Sequence, residues 1–117
     1  MKVKGISWIG LKASSRERYK SITEILSRIL EGWEFKTGDG YTHFTNGTAM
    51  IEVYVEGEGK DEFVCGLEVE DIDQSILELR RLGLEILGQK ECADGSCWQH
   101  FKMPDGTEWE VKKSAML

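Results

Sequence analysis

Few side chains in these 117 residues can do chemistry. His43 and His100 are the only histidines, and each precedes a phenylalanine. Glu52 and Glu110 sit in apolar, strand-like runs, "MIEV" and "EWEV". A carboxylate so placed can move a proton or hold a divalent ion, and an imidazole beside it extends the choice to transition metals. No glycine loop follows a strand to cradle phosphate. There is no nucleophile elbow and no Cys–His arrangement at a usable spacing.

Three cysteines are too few for a disulfide framework. Cys65 lies in an apolar run and reads as a small buried hydrophobe. Cys92 and Cys97 flank "ADGS". If Asp94-Gly95 is a two-residue turn, they face each other about 4.5 Å apart at Cα, and a cross-strand disulfide can form. Whether it forms depends on the redox compartment.

Bulk composition narrows the class. The length suits one domain, 1–117, with one good core. The net charge of −6 argues against nucleic acid and anionic membrane. No apolar run reaches a membrane span, and "MKVKGISW" has no apolar signal core, so a cytoplasmic protein is expected. Asn46 is the only asparagine and glutamine occurs three times, against plentiful lysine and glutamate. That balance resembles thermophile proteins.

The elements that must position these groups repeat. Ile6 to Ala13 alternates as a strand. Ser14 with Glu17 reads as a capping box, and Tyr19, Ile22, Ile25, Leu26, Ile29 and Leu30 follow at helical spacing. Gly32 stops that helix. Trp33 to Lys36 is a strand, "HFTNGTAM" a hairpin turning at Asn46-Gly47, and Ile51 to Val55 a further strand. After the polar linker "EGEGKDE" the programme restarts. Phe63 to Val69 is a strand, and Asp71 with Gln74 caps a second helix carrying Ile72, Ile76, Leu79 and Leu82. Leu84 to Leu87 is a strand, followed by the "ADGS" and "MPDGTEWEV" hairpins. Gly10, Gly32, His43 and Val53 match Gly66, Gly83, His100 and Val111 at offsets of 56, 51, 57 and 58. The expected fold is α+β: two tandem βαβββ units, 5–56 and 63–113, joined by a linker at 57–62.

With a two-residue turn at Asn46-Gly47, His43 pairs with Met50 and Tyr41 with Glu52. Tyr41, His43, Met50, Glu52 and Tyr54 then share one face, with His43 diagonal to Glu52. The register around His100 stays open. Glu108 has no counterpart in the first half and reads as surface or edge.

Two such units, with "GLEVEDID" from Gly66 and "HFKMPDGTEWEV" from His100, resemble the vicinal oxygen chelate superfamily of glyoxalases, bleomycin resistance proteins and extradiol dioxygenases. The resemblance runs from Gly5 to Lys112. It implies curved mixed sheets around a cavity between the two units. It also implies four ligand positions for a divalent metal. Two hold Glu52 and Glu110, which would then be metal ligands and catalytic carboxylates. The usual histidine positions fall on Trp8 and Val64, which cannot ligate. The expectation is therefore a small-molecule binder with a degenerate metal site and no resident cofactor. Trp8, Tyr41, His43, Met50, Tyr54 and Trp98 would line the ligand. A homodimer is expected, because one half-open unit leaves apolar sheet uncovered. The alternatives are a metal-dependent lyase, isomerase or dioxygenase using Glu52 and Glu110 with His43 or water, and a structural or partner-binding subunit.

Overall fold

The structure is a computed structural model that describes residues 1–115 except Glu58, which falls in the expected linker. Among the described residues, eight strands and two helices follow the order β1 (Val3–Ala13), α1 (Arg16–Ile29), β2 (Glu34–Gly38), β3 (Tyr41–Thr45), β4 (Met50–Val55), β5 (Glu62–Val69), α2 (Ile72–Arg81), β6 (Glu85–Ala93), β7 (Ser96–Lys102) and β8 (Glu108–Lys113). They form two compact units, one of residues 8–63, the other of residues 1–7 with the chain from Val64 on. Among the described residues no helix is long and apolar enough to cross a membrane.

In the unit of residues 8–63, β1 runs parallel to β4, β4 antiparallel to β3, and β3 antiparallel to β2. Period 2 splits the side chains between two faces. Thr42, Phe44 and Val53 are buried on the face that α1 covers, where the Tyr19 hydroxyl meets that of Thr42 at 2.6 Å. The N-cap of α1 is Ser15, whose hydroxyl accepts from the Arg18 amide at 3.1 Å. Ser14 was the expected cap, but its amide is committed elsewhere, donating to the Asp61 carboxylate at 2.8 Å.

Two hydrogen bonds from Ser14, chiefly the backbone one, hold the Asp61 carboxyl below its ordinary range, with a smaller contribution from the Arg18 charge. A carboxyl lowered by folding contributes stability that is present above pH 4 or so and is lost as pH falls through the lowered value. Asp61→Asn should therefore be less stable than the parent at pH 6, and the gap between their urea midpoints should close toward pH 3.

The turn after β3 is longer than expected. Asn46 Oδ1 accepts from the Thr48 amide, the Thr48 hydroxyl and the Ala49 amide, so residues 46–49 form a four-residue loop and Thr45 pairs with Met50. The register moves by two residues. The predicted face survives, but His43 now stands directly opposite Glu52 and Tyr41 opposite Tyr54.

In the other unit, β5 runs parallel to β8, β8 antiparallel to β7, and β7 antiparallel to β6. Asp71 caps α2 as expected, accepting from the Gln74 amide at 3.0 Å. Ile72, Ile76 and Leu79 pack with Val69, Phe101 and Val111 into a buried cluster. The β7–β8 turn is set by Asp105, whose carboxylate accepts from the amide and hydroxyl of Thr107.

Cys92 and Cys97 pair in register at the end of the β6–β7 hairpin and form a disulfide, with Cα atoms 4.1 Å apart. Asp94 and Gly95 both take positive φ, 52° and 82°, as a tight primed turn requires. The loop it closes is short, so chain-entropy reasoning gives the bond about 2 kcal/mol. Replacing both cysteines by serine should lower unfolding stability by about that amount, and a thiol reductant should then have no further effect on the urea midpoint.

Candidate functional site

In the unit of residues 8–63, the face opposite α1 carries Trp8, Gly10 and Lys12 from β1, Tyr41 and His43 from β3, and Met50, Glu52 and Tyr54 from β4. Glu52 is its focus. Its Oε1 accepts the Trp8 indole N–H at 3.1 Å and lies 3.4 Å from His43 Nε2. The Tyr41 ring stacks at a tilt on His43, centroids 4.7 Å apart. Met50 stands opposite Trp8. Glycine makes room for the rings: a Cβ on Gly10 would come within 2.2 Å of the Trp8 indole, and one on Gly38 within 2.1 Å of the Tyr41 ring. Trp8 is buried, while His43 and Glu52 are half-buried.

The other unit carries a similar rung. His100 stands opposite Glu110, and Glu110 opposite Gly66, as Glu52 stands opposite Gly10. Glu110 is 3% exposed, so it is no wet-face carboxylate. Burial pushes the Cys65 thiol up, and the Glu110 charge adds to that. His100 turns to a different carboxylate: Nδ1 lies 2.6 Å from Glu108 Oε2. An ionised carboxylate only accepts, so Nδ1 carries the hydrogen in this contact. Trp98 shares the face of His100, and its indole donates to Glu91 at 3.0 Å.

Two residues on this face escaped the sequence reading. Glu108 is not mere surface or edge, since it anchors His100. Two residues before Glu110, it had to share Glu110's face, and that period was the available signal. Glu68 is buried and accepts three hydrogen bonds, from the Ser7 hydroxyl at 2.7 Å, the Ser114 amide at 2.7 Å and the Ser114 hydroxyl at 2.8 Å. A charged residue inside "GLEV" was its signal, because a buried charge needs partners.

The expected site residues thus fall into two groups. Trp8, Tyr41, His43, Met50, Glu52 and Tyr54 share one face of the unit of residues 8–63. Trp98 and Glu110 share a face of the other with His100. The positions at which histidine was expected hold an indole that donates and, at Val64, a fully buried valine. Among the described residues no three of His, Cys, Asp and Glu gather closely enough to hold a metal ion.

The architecture is that of the glyoxalase/bleomycin-resistance-like α+β fold. A Mn(II)-bound glyoxalase from Novosphingobium aromaticivorans matches 98% of the chain at TM-score 0.73 and 14% identity, although the chain spans only 40% of that protein. A glyoxalase/bleomycin resistance protein/dioxygenase superfamily member from Vibrio splendidus 12B01 matches over 97% of this chain and 100% of its own, at TM-score 0.66 and 13% identity. Methylmalonyl-CoA epimerase from Mycobacterium tuberculosis matches over 97% and 89%, at TM-score 0.65 and 15% identity. At such identities the likeness is one of fold, and at that level the vicinal oxygen chelate resemblance holds. No protein-family model matches the sequence, and no curated protein does.

Proposed function

We propose that the chain binds a small organic ligand on the face that carries His43 and Glu52, and that it has given up the metal position of the proteins it resembles. The observation that carries this reading is the Trp8 hydrogen bond to Glu52. Indole is a donor with no lone pair to offer. It donates to one of the two Glu52 oxygens, from a position at which a histidine could have ligated. Val64 offers nothing either. The donors left do not fit a resident transition metal, which takes about three protein ligands. The rings of Tyr41 and Tyr54 with Met50 supply the apolar lining that ligand sites use, and Glu52 supplies a polar anchor.

Elemental analysis of protein purified without chelator is the first test, with less than a tenth of an equivalent or so of any transition metal expected. A thermal-shift screen of organic acids, amines and aromatic compounds is the second. A ligand at 100 times its dissociation constant stabilises by about 2.7 kcal/mol. Loss of that shift in Tyr41→Ala would place the ligand on this face. Failure of every class to shift the melting point would sink the binding reading. One observation favours the metal-dependent enzyme instead: an imidazole faces a glutamate in each unit. One equivalent of bound metal per chain would decide for it.

A further inference from the structure

The two terminal strands of the sheets are unlike. In β6 the register with β7 breaks between Leu87 and Glu91, with Gly88 at a φ of 69°. Such irregularity protects an edge from pairing with another chain. In β2, all five residues from Glu34 to Gly38 stay in register with β3. Nothing bends this edge away, and Phe35 on it is 67% exposed. Phe35 pairs with Phe44, ring centroids 6.2 Å apart, and so lies on the face that α1 covers. Glu34 and Lys36, on either side of it, point to the opposite face.

We propose that β2 is the surface through which two copies of this chain pair, antiparallel, about a two-fold axis at Phe35. In that register Phe35 meets Phe35 of the partner subunit. Glu34 faces Lys36 of the partner subunit, and Lys36 faces Glu34 of the partner subunit. Opposite charges directly across an antiparallel pair stabilise it, and like charges destabilise it. Sliding by two residues in one direction sets Glu34 against its own copy, and in the other direction Lys36 against its own. The charge alternation therefore selects the Phe35-centred register. A five-residue strand pair falls short of the roughly 1,200 Å² that a stable interface buries. Helix α1 supplies more apolar surface on the same side of the sheet, through the exposed Ile25 and Ile29. The two-fold axis makes the patch self-complementary, as a closed dimer demands. This pairing is independent of what the ligand face binds.

Sedimentation velocity at micromolar concentration tests it. The native chain should sediment as a dimer. Glu34→Lys puts like charges opposite each other twice and should raise the dimer dissociation constant by about tenfold or more. Adding Lys36→Glu to that variant should restore dimerisation. Phe35→Ser should weaken it with no charge change. Circular dichroism confirms that each variant is folded. A native chain that stays monomeric overturns the proposal, as does a dimer indifferent to Glu34→Lys and Phe35→Ser. So does failure of the double exchange to restore pairing, because alternation is what selects the register.

Discussion

Trp8→His is expected to make the chain take up zinc more tightly than the parent does. The change puts a second imidazole in front of Glu52, whose Oε1 now accepts the Trp8 indole at 3.1 Å and has His43 Nε2 at 3.4 Å. Two imidazoles and one glutamate are a donor set of catalytic zinc sites. Gly10, bare beneath the indole, leaves the smaller ring free to turn. The metal-free variant should be less stable than the parent by about 3 kcal/mol, since a buried indole is lost. Zinc at 100 times its dissociation constant should restore about 2.7 kcal/mol, while the parent's melting point should hardly respond. Zinc content by plasma spectrometry and melting curves with and without zinc check both halves. A folded variant that neither retains zinc nor gains stability from it would show that the indole is not what keeps metal out.

Glu68→Ala should cost the most stability of any exchange outside the apolar core. The carboxylate accepts three hydrogen bonds, from the Ser7 hydroxyl and from the amide and hydroxyl of Ser114. Hydrogen bonds to charged groups contribute more than neutral ones, and partners stranded in a buried place carry a desolvation penalty. The buried Ser7 hydroxyl would be so stranded. A loss of about 3 kcal/mol is expected, or about 10 °C in Tm for a chain this size. Glu68→Gln should lose far less. Its amide oxygen can accept from the Ser114 amide, and its NH2 can donate to the two hydroxyls, which rotate to accept. Equal losses for alanine and glutamine would show that the charge, not the hydrogen-bonding pattern, matters here.

Much of the architecture was legible because it depends on periods. Alternation in "MIEV" and "EWEV" placed the strands. The Asp71–Gln74 cap and the helical spacing after it placed α2. The shared face of Tyr41, His43, Met50, Glu52 and Tyr54 survived a wrong turn length, because the register error was two residues and side chains alternate with the same period. What failed depended on choices between near neighbours. Ser14 and Ser15 are equally able caps, and only the distant Asp61 decides between them. Asn-Gly favours a two-residue turn, yet Asn46 Oδ1 satisfies three donors better by lengthening the loop. The pairing of His100 with Glu108 needed the β7–β8 register, which follows from the Asp105 turn and not from local propensity.

The recurrence of one rung in both units also bears on how each can change. Opposite a glycine and an imidazole, each unit presents a glutamate, yet the two rungs now serve different masters. In one, the acid has been claimed by an indole. In the other, the imidazole has been claimed by a neighbouring acid. A substitution at Trp8 or at Glu108 would therefore change one rung and leave the other as it is.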